Sequence, residues 1–463
     1  MSKRESTRMR VVLISTYELG RQPFGLASPA AWLRQAGVTV DCQDLSQGRL
    51  FEEDIVAADL VAFYVPMHTA TRIAAHVAER VKALNPKAHL CFYGLYAPMN
   101  ADYLRRLGAD TLLGGEFETG LLHLVQRLQA NRGKPLKQPE PLVSLERQLF
   151  LVPDRQGLPP LAQYAHLVTG PDERRVVGYT EASRGCKHFC RHCPIVPVYN
   201  GHFRIVSQDV VLGDIRQQVA SGAEHITFGD PDFFNGTGHA LPLVQAMHQE
   251  FPHITYDVTI KVEHLLRHAS HLPVLRDTGC VLVTCAVEAV QDRVLDILDK
   301  GHTRQDFLEV LALFRDVGLN LNPTFVAFMP WVSMEDYLDL LRVVAEQGLM
   351  DQVSPIQLAM RLLIPAGSKL LEVPHIDDVL GAFDEAALTY RWTHPDARMD
   401  RLCDEALAIV QNGESEGASR HDIFMRLWSA AHKAAERSVG ALPTPAVAPP
   451  RGPIPYLSEP WYC

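Results

Sequence analysis

Three cysteines carry the clearest chemical signal in this chain. Cys186, Cys190 and Cys193 stand at C-x3-C-x2-C spacing in Cys186-Lys187-His188-Phe189-Cys190-Arg191-His192-Cys193, directly after Thr180-Glu181-Ala182-Ser183-Arg184-Gly185. A loop this short can wrap three thiolates around one metal centre. Iron–sulfur clusters are held by Cys thiolates, and a [4Fe–4S] cube ordinarily takes four. The next cysteine, Cys280, is far downstream. One iron of such a cube is then open to a substrate or cofactor. A zinc knuckle built from the three thiols and His188 or His192 is the competing reading. Zinc sites usually draw on two separated ligand pairs, and no second pair is evident in the sequence. The third reading is a chance cluster of buried thiols, which are common in cores.

The spacing resembles that of the radical S-adenosylmethionine (SAM) superfamily. The resemblance implies that Cys186, Cys190 and Cys193 hold a [4Fe–4S] cluster whose open iron chelates the amino and carboxylate groups of SAM. An electron from the cluster then breaks a sulfonium S–C bond to release a carbon radical, so the cofactors carry the difficult chemistry. It implies an enzyme, a transferase acting on a small molecule, with an electron donor such as flavodoxin or ferredoxin. One departure is visible. The superfamily often places an aromatic residue before the third Cys, and here that residue is His192.

The same resemblance points to three residues for SAM. Asp230, in Gly229-Asp230-Pro231-Asp232, stands where an acidic or glycine-rich motif meets the SAM ammonium, a group that needs an acceptor. Gly-Asp-Pro is equally good chemistry for a tight turn. Lys261 and Glu263 follow a strand expected at 255–260. Glu288 follows one at 280–285 and precedes Lys300-Gly301-His302, as in related enzymes. A carboxylate there also suits a plain helix start. The expected SAM-binding set is therefore Asp230, Lys261 and Glu288. Phe328-Met329-Pro330 resembles the strand end near adenine, Arg361 is placed to face a carboxylate or solvent, and Leu363 to Ser368 resembles the end of the barrel.

The chain closes on Glu459-Pro460-Trp461-Tyr462-Cys463. This resembles the tails of radical SAM proteins that end in a Cys-Cys or Cys-selenocysteine pair followed by Ala-Glu-Pro. On that resemblance, to enzymes of the arsinothricin-biosynthesis type, Cys463 is a catalytic residue that captures a soft atom such as arsenic. The resemblance implies that SAM then donates its 3-amino-3-carboxypropyl group, and that this chain stops one residue short of the pair's second member. The alternatives are a frayed terminus with an incidental thiol, a cobalamin-dependent methyltransferase, and a non-catalytic zinc or iron–sulfur module.

These residues need a scaffold to converge. At 463 residues the chain is too long for one ordinary core. It is 47% hydrophobic and 21% charged, which is globular composition. A net charge of −10 gives no general case for nucleic-acid binding. The charged N-terminus has no apolar leader and no apolar run approaches a membrane span, so a reducing cytoplasm is expected.

Short apolar strands alternate with helical patterns over 9–130, which predicts a doubly wound, Rossmann-like α/β domain. It resembles the cobalamin-binding domain that precedes many radical SAM barrels, and this leaves cobalamin open as a further cofactor. The D-x-H-x-x-G signature that supplies a histidine to cobalt is absent. His68, at a strand end, reads as an ordinary loop residue. Residues 131–175 read as a proline-rich linker. The βα pattern restarts over 176–372, with strands near 176–181, 224–228, 255–260, 280–285, 320–327 and 353–358. Six units fall short of the eight of a closed barrel and match the partial (β/α)6 barrel that the resemblance implies. Residues 376–440 are read as a helical extension of three helices, 377–390, 397–411 and 422–436. Residues 441–463 form an extended proline-rich tail.

Overall fold

The computed structural model describes residues 9–130, 140–170, 172–443 and 454–459. Two sheets organise it. The first has strands β1 (Arg10–Ser15), β2 (Thr39–Asp44), β3 (Leu60–Tyr64), β4 (His89–Tyr93), β5 (Thr111–Gly115) and β6 (Val143–Ser144), in the order β2-β1-β3-β4-β5-β6 with every pair parallel. β3 and β5 are buried at every position, as parallel strands covered by helices on both faces must be. Two apolar clusters lie on opposite faces, one under the helix Phe24–Gln35 and one under His68–Leu84. The doubly wound expectation holds. The linker contributes to it, because β6 comes from residues beyond 140.

The second sheet is built from β7 (His166–Val168), β8 (Arg174–Thr180), β11 (His225–Phe228), β12 (Thr255–Thr259), β13 (Cys280–Glu288), β14 (Leu321–Phe325) and β17 (Tyr456–Leu457). Its order is β14-β13-β12-β11-β8-β7-β17. β8 to β14 are parallel, while β7 and β17 add antiparallel to the β8 edge. Between them a short pair, β9 (Ser183–Gly185) and β10 (Phe203–Ile205), brackets the cysteine loop.

Two expectations need correction. The sixth parallel strand, expected at 353–358, is a 3-10 turn at Pro355–Leu358. Pro355 has no N–H to give a ladder. The Gln357 Oε1 instead accepts the Phe325 N–H at 3.0 Å, so a side chain caps the edge of β14. Among the described residues one isolated parallel bridge, Phe328 to Arg361, continues the curve. The expected first helix of the extension, 377–390, is largely a hairpin of β15 (Leu380–Asp384) and β16 (Thr389–Trp392). The run Thr389-Tyr390-Arg391-Trp392 favours extended backbone. Phe383 and Tyr390 pack across the strands at 5.1 Å, and the Tyr390 N–H donates to Ile364 O. The other two helices form at Ala397–Ser415 and Arg420–Ala434.

Candidate active site

The cysteine loop leaves the end of β9 through Gly185, whose φ is +71°. A Cβ there would lie 2.3 Å from His202 O and 2.5 Å from the Tyr199 ring, so only glycine fits. The loop is tied at three points. Arg191 N donates to Leu298 O at 2.9 Å, and the Arg191 guanidinium donates to Ile297 O at 2.6 Å. Lys187 Nζ donates to Asn235 O at 2.6 Å, and Asn235 Nδ2 donates to Cys186 Sγ at 3.6 Å. Cys186 and Cys190 are buried and Cys193 is partly so. Burial pushes the Cys186 thiol up, and the Cys193 thiol to about 12. Thiols so placed ionise only with a cationic partner.

Among the described residues, the group of three His, Cys, Asp or Glu ligand atoms lying within 4.8 Å of one another is His188, Asp232 and His264. The three thiols form no such group. One tetrahedral zinc would hold its sulfurs about 3.8 Å apart. Both loop histidines are also engaged with carboxylates, His188 with Asp232 and His192 with Glu288. The geometry suits a larger centre than one ion.

Asp230, at the end of β11, accepts from Ala182 N at 2.9 Å and from Ser183 Oγ. It pins the turn that feeds the cysteine loop, and burial raises its carboxyl to about 7. Lys261 is buried with its Nζ 3.9 Å from Glu263 Oε2. Glu288 ends β13 at φ +72°, in the left-handed region, where the register with β14 shifts. Such strain in a non-glycine residue collects at functional sites. Its Oε1 lies 3.1 Å from His192 Nε2 and 3.3 Å from Lys300 Nζ. Burial pushes this carboxyl up, but Lys300 and then His192 outweigh it and hold it at about 2.

Asp230 and the inward residues Thr227, Asp257, Thr259, Thr284 and Asn322 line a cavity of about 1080 Å³ inside the curved sheet. Leu19 and Arg21 of the first domain, Pro355 of the 3-10 turn, Arg420 of the extension and Ile454, Tyr456 and Glu459 of the tail also line it. β17 docks there on β7. His166 N donates to Ser458 Oγ at 2.9 Å, and Tyr17 Oη donates to Glu459 Oε1 at 3.1 Å. Cys463 lies outside the described residues.

The comparisons with known proteins meet this geometry at the cysteine loop. The radical SAM superfamily model matches residues 180–344, a span that begins at the end of β8 and contains all three thiols. The chain carries a radical SAM domain. The tRNA-2-methylthio-N(6)-dimethylallyladenosine synthase of Desulfosudis oleivorans is 24% identical over 269 residues, 56% of each chain. The chain thus spans little more than half the length of that relative. In fold it is similar to the cobalamin-dependent SAM radical enzyme OxsB with aqua-cobalamin bound, at a TM-score of 0.68 and 13% identity over 88% of this chain and 67% of that one. It is also similar to the radical SAM methyltransferase TsrM of Kitasatospora setae with cobalamin and a [4Fe–4S] cluster bound. There the TM-score is 0.57 at 15% identity, over 73% and 70% of the two chains.

A radical SAM domain takes a [4Fe–4S] cluster and SAM. The three thiols fit the cluster, since the donor set is right and Asn235 hydrogen-bonds the Cys186 sulfur, a contact that would tune such a centre. Cobalamin fits less well. In the strand order of the first sheet, a ligand sits beyond the strand ends between β1 and β3. Here the Tyr64 ring lies on Gly25, where a Cβ would come within 2.1 Å of it. Tyr93 Oη donates to Gly25 O at 2.8 Å. Tyr64, Tyr93 and Phe117 pack with centroids 5.0–5.8 Å apart. These rings fill the crevice between β1 and β3, while the cavity of about 1080 Å³ borders the first domain at Leu19 and Arg21. His68 is buried against Ala387 O of the hairpin.

Several site residues carried no sequence signal. Arg184 is buried between the domains, 2.7 Å from Glu118 and from Glu181 and 3.3 Å from Glu116. Asn235 and His264 reach the loop only through the fold. Arg361, read as facing a carboxylate or solvent, pairs at 2.8 Å with Asp400 of the following helix and stacks on Trp392.

Proposed function

We propose that this protein reductively cleaves SAM and transfers a carbon group onto a small molecule, and that the group is the 3-amino-3-carboxypropyl moiety delivered to a soft acceptor such as trivalent arsenic. Cys186, Cys190 and Cys193 would hold the cluster, and Asp230, Lys261 and Glu288 the polar groups of SAM. When bound, cluster and SAM supply one electron and a carbon radical. The sulfonium S–C bond breaks and a carbon–arsenic bond forms. Of the two electrons arsenic gives up in going from trivalent to pentavalent, one would pair with the carbon radical in the new bond and the other would return to the cluster, so the electron from a flavodoxin- or ferredoxin-type donor primes the transfer and is not consumed.

The observation that carries this reading is the docked tail. Ile454, Tyr456 and Glu459 line the same cavity as Asp230, so the segment just before Cys463 is held at its wall. Burial of Glu288 and Lys300 keeps the polar contacts to SAM dry and strong. The test is anaerobic. Reconstituted protein is given SAM, reductant and arsenite. Methylthioadenosine and a carbon–arsenic product are expected, and 5′-deoxyadenosine as sole nucleoside product would overturn the choice of bond.

Methyl transfer with cobalamin is the second reading. The similarity in fold to OxsB and TsrM favours it.

A further inference from the structure

The loop that carries the thiols also brings together a second set of ligand atoms. His188 lies between Cys186 and Cys190, Asp232 follows β11, and His264 sits on the helix Val262–Arg267 after β12. Asp232 Oδ2 is 2.7 Å from His264 Nδ1 and 3.2 Å from His188 Nε2. Asp232 is fully buried and His264 nearly so. Yet none of the three atoms has a hydrogen-bond partner. They approach each other without the direction a hydrogen bond needs. Among the described residues the carboxylate oxygen has only these two ring nitrogens as ion-pair partners, and a carboxylate and two imidazoles converging in the interior are ligands that a cation can gather.

The surroundings orient these donors as outer partners orient metal ligands. Asp232 Oδ1 accepts from Phe234 N at 3.2 Å, which turns Oδ2 inward. The far nitrogen of His188, Nδ1, faces Glu263 Oε2 at 3.6 Å. A carboxylate on that side favours the tautomer that leaves Nε2 bare for a metal.

We propose that His188, Asp232 and His264 form a mononuclear site for a divalent transition-metal ion, zinc by its donor set, distinct from the iron–sulfur centre. Two imidazole nitrogens and one carboxylate oxygen suit zinc, with a fourth position left for water or a substrate group. The ion would tie the cysteine loop to the ends of β11 and β12 and set a Lewis acid beside the cluster.

The test uses the reconstituted holoenzyme, incubated with Zn2+ and desalted, with metals counted by mass spectrometry and the zinc shell read by X-ray absorption. One zinc per chain is expected beside an unchanged iron count, in a shell of nitrogen and oxygen only at about 2.0–2.2 Å. His264→Ala and Asp232→Asn should lose the zinc and keep the iron. Glu263→Gln should weaken zinc binding by about 10–100-fold. Sulfur in the zinc shell, zinc retained by both variants, or no zinc retained by the wild type would overturn the proposal. So would exclusion of zinc by saturating SAM, which would assign the group to the SAM ammonium. The absorption spectrum of the wild type decides even where a variant fails to fold.

Discussion

Lys300 donates to Glu288 at 3.3 Å across the end of β13, and both side chains are buried. Neither charge is tolerable there alone. Lys300→Met leaves the buried carboxylate with His192 as its remaining partner and should cost about 3–5 kcal/mol in denaturant unfolding. Lys300→Met combined with Glu288→Gln should recover most of that loss. Glu288→Gln alone should weaken SAM binding by about 10–100-fold in a titration, the worth of a charged hydrogen bond. A double variant no more stable than Lys300→Met would deny the pairing.

Cys190→Ala should abolish SAM cleavage and lower the iron content, because two thiolates hold a cube poorly. Full iron with normal turnover would show that the ligand set is wrong.

The interface between the two sheets predicts a pH dependence. Burial raises Glu116 to about 7, above its ordinary 4.5, although Arg184 pulls it down. Its Oε1 is buried without a partner. A carboxyl raised in the folded state binds more protons there than in the unfolded chain. Its contribution is full below pH 4.5 and is lost as pH rises through about 7, a change of no more than about 3 kcal/mol. Glu116→Gln should therefore gain stability relative to wild type between pH 5 and pH 8, seen in unfolding midpoints. A gap that does not change with pH would show that Glu116 stays ionised against Arg184.

Replacing Cys463 by Ser should leave uncoupled SAM cleavage largely intact and stop product formation, since only capture of the acceptor atom is lost. Equal product from both proteins would remove the tail thiol from the mechanism. The docking of Tyr456–Leu457 on β7 makes a second measurement possible. Amide exchange at His166, whose N–H donates to Ser458, should rise when the tail is cut before 454.

Protein produced with ample cobalamin should purify with well under one cobalt per chain, because Tyr64, Tyr93 and Phe117 fill the crevice. Stoichiometric cobalt would put methyl transfer first.

The cysteine motif was legible in the sequence because it is local. Eight consecutive residues hold all three thiols, and spacing alone brings them around one centre. The same holds for the alternation of strands and helices in both sheets, since each element declares its own period. Asp230 and Glu288 were singled out by their place after a strand, which is again a local relation.

What only the tertiary structure decided is long-range. Asp232 meets His264 because β11 and β12 are neighbours in parallel register, and no spacing in the chain states that. Arg184 meets Glu116 and Glu118 across sixty-odd residues. The hairpin at 380–392 overrode a helical pattern, because its strands find Ile364 O and each other as partners. Gln357 replaced a whole strand by supplying one acceptor to the edge of β14. In each case the deciding energy is a contact between segments far apart in sequence, and such contacts exist only once the chain has folded.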